Sequence, residues 1–121
     1  MRVKIIGDPT AFDQDIQDKI RKLEEFSKDY DELYFQIALN YGSRDEITRG
    51  MRKLAQDAAD GRLNPQEITE DTISGYLDTA GVPDPDLLIR TSGEQRLSNF
   101  LMWQLAYTEF YFYRCCMAGF S

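Results

Sequence analysis

The chain has 121 residues, a formal net charge of −7, no histidine, two cysteines and 42% hydrophobic residues. That size and composition describe at most one soluble globular domain, with no apolar run long enough to span a bilayer. The acidic balance speaks against a nucleic-acid binder, which needs a basic face for backbone phosphates, and the adjacent Cys115 and Cys116, without any histidine, make neither a zinc set nor a disulfide framework.

The chain opens on a predicted strand, Val3 to Ile6, closed by Gly7-Asp8-Pro9, where a flexible residue, a side-chain acceptor and a fixed φ make a turn. This apolar start is too short, and too charged around it, for a signal sequence, so a reducing cytoplasm is the expected compartment. Phe12, Ile16, Ile20, Leu23 and Phe26 or Ser27 recur at helical spacing with charges opposite, which predicts an amphipathic helix with a solvated outer face. Glu32 to Leu39 reads as the second strand, rich in Tyr34, Phe35 and Ile37, and ends at Asn40-Tyr41-Gly42. Ser43 with Glu46 predicts a capping box, and Ile47, Met51, Leu54 and Ala58 the apolar stripe of the helix it opens, ended by Asp60-Gly61. Arg44 follows a strand's carboxyl end, but a helix-start arginine usually pairs with a neighbour such as Asp45 or stays in water, and it is left out of the site. Asn64-Pro65-Gln66-Glu67 starts a short helical turn, and Thr69 opens another helix expected to bury Ile73, Tyr76 and Leu77 before Gly81-Val82-Pro83 breaks it.

From Asp84 onward the chain carries its most informative stretch. Leu87, Leu88 and Ile89 form a continuous apolar run, the pattern of a parallel strand buried on both faces, so Arg90 falls at a strand's carboxyl end, where ligands bind in open α/β sheets. The loop that follows suits an anion. Gly93 lets backbone approach a ligand, Arg96 offers a planar fork of donors, and Ser98 with Asn99 are placed to cap the next helix. Phe100 to Tyr107 is apolar nearly all round, which predicts a buried helix, and Tyr107 to Tyr113 turns strand-like. The aromatic residues read as core rather than as a lipid-chain tunnel. Glu109, amid such neighbours, must find a cation or a donor, and an arginine such as Arg90 or a metal would satisfy it equally. The alternating order implies a mostly parallel sheet with helices on its faces.

Arg90-Thr91-Ser92-Gly93-Glu94-Gln95-Arg96-Leu97-Ser98-Asn99-Phe100, followed by Trp103-Gln104 and Glu109, closely resembles the signature near the C-terminus of cis-prenyltransferases, the undecaprenyl diphosphate synthase family, and Asn40-Tyr41-Gly42 matches that family as well. The resemblance implies an undecaprenyl-diphosphate-synthase-like α/β fold and an enzyme that condenses isopentenyl diphosphate with an allylic diphosphate, using Mg²⁺. It implies that Arg90, Arg96, Leu97 and Ser98 bind the diphosphate and that Glu109 holds the metal. A homodimer is implied for the intact family member, with at most peripheral membrane contact. Some members have histidine where this chain has Gln95.

The family's Asp-Gly-Asn-Gly-Arg-Trp segment, whose aspartate works with Mg²⁺, is absent; Asp60-Gly61-Arg62 is a partial echo at a helix end. The family's Phe-Ser-x-x-Asn-Trp segment is absent too. The chain therefore reads as a single partial domain over 1–121, the C-terminal portion of a family member, with about four strands, expected to fold poorly alone. It is expected to bind but not catalyse. The alternative is a noncatalytic interaction subunit that lends Arg90, Arg96 and a sheet edge to a complete partner. The tail from Arg114 to Ser121 is atypical: codons for it exist that, read one base later, translate as Asp-Val-Val-Trp-Pro-Gly-Phe, a match to the family's Asp-x-x-Trp-Pro-x-Phe, and the expectation is a reading-frame slip before Arg114.

Overall fold

In the computed structural model, which describes residues 1–91 and 97–113, strands and helices alternate along the chain. They are β1 (Arg2–Ile6), α1 (Gln14–Ser27), β2 (Tyr34–Ala38), α2 (Ser43–Ala59), α3 (Glu70–Ser74), β3 (Leu87–Arg90) and β4 (Glu109–Phe112), with 3-10 turns at Pro9–Ala11 and Pro65–Glu67. This is the expected α/β class. β1 pairs with β2 and β3 with β4, both in parallel. Among the described residues the pairing is divided between two two-stranded sheets rather than carried through one.

The outer edge of β1 shows how a strand ends a sheet without another strand. Its alternate N–H groups point away from β2, and side chains take them: Val3 N–H donates to Ser27 Oγ (3.0 Å) and Ile5 N–H to Glu24 Oε2 (2.9 Å), and just past the strand Gly7 N–H donates to Asp78 Oδ2 (2.9 Å). Unpaired strand donors next to a core carry a desolvation cost, so α1 is held against β1 by polar as well as apolar contacts. Gly7 itself has φ +117° and lies so close to the Leu39 carbonyl that a Cβ would sit 2.0 Å from its oxygen, so only glycine fits this turn.

The core gathers Ile6 of β1 with Leu101 and Leu105, and Tyr41, Leu88, Leu97 and Phe100 pack around them. It thus links the end of the first sheet to the second and to the segment between β3 and β4. Several expectations need correction here. β3 is not buried on both faces: Leu88 turns to the core, while Leu87 and Ile89 are 53% and 59% exposed, because alternate residues of a strand face opposite ways and only one face is covered. The apolar stripe of α1 is likewise only partly covered, with Phe26 at 76% exposure. The helix expected over Phe100 to Tyr107 is a run of bends and turns. Ser98, Asn99 and Leu101 have φ of +53°, +62° and +46°, outside the right-handed helical region, and a bond from Leu105 N–H to the Leu101 carbonyl (2.9 Å) closes one turn. That segment is also one-sided: Leu101, Gln104 and Leu105 are buried and Tyr107 is 95% exposed.

The start of α2 departs from expectation most usefully. Ser43 and Glu46 form no capping box; Gly42 is the cap residue and makes no side-chain cap bond. Both side chains are buried and turn to distant partners instead. The capping box appears on α3, where the Thr69 hydroxyl accepts from Thr72 N–H (3.3 Å) and the Thr72 hydroxyl from Thr69 N–H (3.1 Å).

Candidate functional site

Two chain segments that follow strand carboxyl ends meet in one place. Gly42, Ser43 and Arg44 come after β2, and Leu97 to Met102 come after β3. Ser43 N–H donates to the Asn99 carbonyl (2.7 Å), Arg44 N–H to Asn99 Oδ1 (2.9 Å), and Met102 N–H to Ser43 Oγ (2.9 Å). Asn99, expected to cap the helix after it, thus caps α2 across the chain. The approach is close: a Cβ on Gly42 would lie 2.8 Å from Asn99 Nδ2. Between these segments opens a cavity of about 410 Å³ lined by Arg44, Leu97, Ser98, Asn99 and Met102, within the size range of small-molecule sites, roughly 300–1,000 Å³. It lies outside strand carboxyl ends, where open α/β sheets bind ligands.

Behind the cavity a buried polar network fixes these segments. Glu46 is 1% exposed. Its Oε1 accepts from Tyr41 Oη–H (2.5 Å) and Gln104 Nε2 (3.2 Å), and its Oε2 from Asp78 N–H (2.8 Å) and Gln104 Nε2 (3.1 Å). Burial, with the bond to Glu46, holds the Tyr41 hydroxyl above its ordinary range. Arg49 grips Asp78 through both terminal nitrogens (3.0 and 2.9 Å) and holds Asp45 through Nε (2.8 Å). Burial alone would raise the Asp78 carboxyl, but the Arg49 fork and the Gly7 N–H outweigh it and leave it below its usual value. The Asp78 bond shifts Arg49 the other way, strengthening its charge. This lattice ties β1, α2, the turn after α3 and the 97–105 segment together, so the cavity walls share one support.

The predicted site residues divide accordingly. Leu97 and Ser98 line the cavity, with Leu97 packed on the core and Ser98 exposed. Arg90 is partly buried at the carboxyl end of β3, and its carbonyl accepts from Tyr113 N–H (2.7 Å). Arg96 and Gln95 lie outside the described residues, as does the tail at 114–121. Glu109 is not brought to the others. It opens β4 opposite Leu87, whereas Arg90 is opposite Phe112, three rungs along, or about 10 Å at strand spacing. Its side chain is exposed, so the expected need for a buried counter-charge does not arise. Among the described residues no three metal-ligating side chains gather; a lone carboxylate suits Mg²⁺ only where phosphate oxygens and water complete the shell.

Arg44, left out of the site because Asp45 stands beside it, lines the cavity, and Asp45 is held by Arg49. Sequence reasoning also missed Tyr41, Glu46 and Gln104 as one network. The Asn40-Tyr41-Gly42 strand ending was the available signal for the first.

The family model described as "Putative undecaprenyl diphosphate synthase" matches residues 1–121. An isoprenyl transferase of Agrobacterium fabrum is 54% identical over 112 residues, and one of Brucella suis is 52% identical over 115; these matches take in 93% and 95% of this chain and 45% of each relative. The solved structure of lavandulyl diphosphate synthase from Lavandula x intermedia, in complex with dimethylallyl diphosphate, superposes with a TM-score of 0.90 at 40% identity, covering 99% of this chain and 52% of that one. The chain spans about half the length of the relatives it matches. Among the described residues no helix is long and apolar enough to cross a membrane. The signature residues on the loop after β3, the α/β order and these matches agree, and the chain belongs to the undecaprenyl diphosphate synthase family of prenyltransferases.

Proposed function

We propose that this chain is the isopentenyl diphosphate-binding portion of a cis-prenyltransferase, the enzyme that condenses isopentenyl diphosphate with an allylic diphosphate. The observation that carries the reading is the cavity at the strand carboxyl ends, whose lining includes Leu97 and Ser98 of the family signature. In this reading Arg90 and Arg96 hold diphosphate oxygens, and the Ser98 hydroxyl with the Leu97 and Ser98 N–H groups completes the cradle. Glu109 would be the carboxylate to hold Mg²⁺, which when bound with the diphosphate would offset the charge of the phosphates. The chain binds but does not catalyse, since the family's aspartate-bearing segment is not in its sequence. A homodimer and a cytoplasmic setting belong to the same proposal for the intact enzyme.

The test is calorimetric titration of the purified chain with isopentenyl diphosphate, alongside a prenyl-transfer assay. Binding is expected to weaken about 10- to 100-fold in Arg96→Ala, the loss of charge-assisted bonds, with no transfer by either protein. Clear turnover by the 121-residue chain would show that the absent aspartate segment is dispensable. A second reading, the noncatalytic subunit of a heteromeric enzyme, is favoured by the apolar exposure of Leu87, Ile89 and Tyr111 on β3 and β4. A stoichiometric catalytic subunit co-purifying from the native cell supports it, and its absence supports the first.

A further inference from the structure

Arg44 sits on the wall of the cavity, yet neither the family signature nor the reading above gives it a role. Its backbone is fixed: the N–H is held by Asn99 Oδ1 and the carbonyl accepts from the Thr48 hydroxyl (2.8 Å). Its side chain has no hydrogen-bond or ion-pair partner among the described residues, and the reason is visible. The two carboxylates that follow it in sequence are both committed, Asp45 to Arg49 and Glu46 to the buried network. Asp57, further along α2, and Asp60, just past its end, belong to Arg62. In a chain of net charge −7, these acids are taken by other partners, and Arg44 is left on the cavity wall. Ser98 and Asn99 face it there, on a segment stitched to the first turn of α2 by three hydrogen bonds.

We propose that Arg44 is a further binding residue of this site, taking an oxygen of the diphosphate from the α2 side of the cavity while Ser98 meets it from the side of the loop after β3. The inference rests on the diphosphate reading above and adds to it a cation from a different part of the chain. The planar guanidinium offers paired donors to phosphate oxygens, so less side-chain freedom is lost per hydrogen bond formed than with a lysine. The ligand class is an organic diphosphate, recognised through the diphosphate and not through the hydrocarbon.

The test is titration of the wild-type chain and three variants with inorganic pyrophosphate, with thermal melts as the check on folding. Arg44→Gln is expected to bind about 10- to 100-fold more weakly, the loss of one charge-assisted contact set. Arg44→Lys keeps the charge but not the fork and falls between. Arg52→Gln, two turns along α2 and roughly 12 Å away by helical rise, is expected to bind as the wild type does. In the wild-type chain, the Arg44 Nε–H nuclear magnetic resonance, assigned through Arg44→Lys, shifts on adding pyrophosphate, a readout that stands even if Arg44→Gln folds badly. Wild-type affinity in Arg44→Gln, or an unmoved resonance while pyrophosphate binds, overturns the role of Arg44 and leaves the diphosphate reading standing. A wild-type chain that binds no pyrophosphate overturns both.

Discussion

Replacing Glu46 removes the buried acceptor on which three donors converge, one of them buried and two partly buried, and the structure sets the size of the effect. In Glu46→Ala the Tyr41 hydroxyl, the Asp78 N–H and the Gln104 amide lose their shared partner. A buried donor left unsatisfied costs about 1–3 kcal/mol; Gln104 Nε2 keeps Thr79 Oγ1 (3.1 Å) and the other two donors are partly buried, so about 2–5 kcal/mol is expected before any relaxation. Against a typical domain stability of roughly 5–15 kcal/mol, that is a large fraction of the total. Glu46→Gln is milder. Its carbonyl still accepts from one side, but its amide turns a donor toward donors, with an expected cost of about 1.5–3 kcal/mol, the worth of a hydrogen bond to a charged group. Urea unfolding followed by far-ultraviolet circular dichroism, with equal m-values demanded before midpoints are compared, measures both. The order expected is wild type, then Glu46→Gln, then Glu46→Ala. A Glu46→Ala midpoint within the error of wild type would mean that Tyr41, Asp78 and Gln104 are not held by this carboxylate in solution, and the account of how the cavity walls are supported would fall.

Gly42→Ala and Asn99→Ala both release the cap that Asn99 places on α2, since a methyl at 42 would sit 2.8 Å from Asn99 Nδ2. Each is expected to cost about 0.5–2 kcal/mol, and a double-mutant cycle should show the second change costing little once the first is made; full additivity would deny the contact. Stability should fall at both extremes of pH. Asp78 is held below its unfolded value of 3.8, so its contribution is complete above that value and is lost as the solution is acidified through the folded value. Tyr41 is held above its unfolded value of 10.0, so its contribution is complete below pH 10 and fades in more alkaline solution; Tyr41→Phe should flatten that alkaline limb, and an unchanged limb would assign it to another group. Trp103→Phe, which deletes the bond from Trp103 Nε1–H to Ser74 Oγ (3.0 Å), should cost about 0.5–1.5 kcal/mol by urea unfolding, and a stabilised variant would contradict it.

Local chemistry was enough to read the elements of this chain. Apolar residues at strand or helix spacing, Pro65 and Pro9 opening turns, Gly61 beyond the end of α2 and Thr69 opening α3 act on their own neighbourhood, so the order of strands and helices is legible residue by residue. The loop after β3 was legible for the same reason: its arginines, glycine and serine form one ungapped run. What remained hidden was settled over long separations. Ser43 and Glu46 have the three-residue spacing of a capping box, but Met102, 59 residues from Ser43, and Gln104, 58 from Glu46, compete for the same side chains and win. A buried carboxylate that gains three donor groups is held more firmly than one capping an exposed helix end, and no local pattern announces it. Arg44 shows the same limit. Its neighbour Asp45 made it look paired, although Asp45 has the four-residue helical spacing to Arg49 and is held by it, and only the approach of the 97–102 segment to the start of α2 puts a cavity wall beside Arg44.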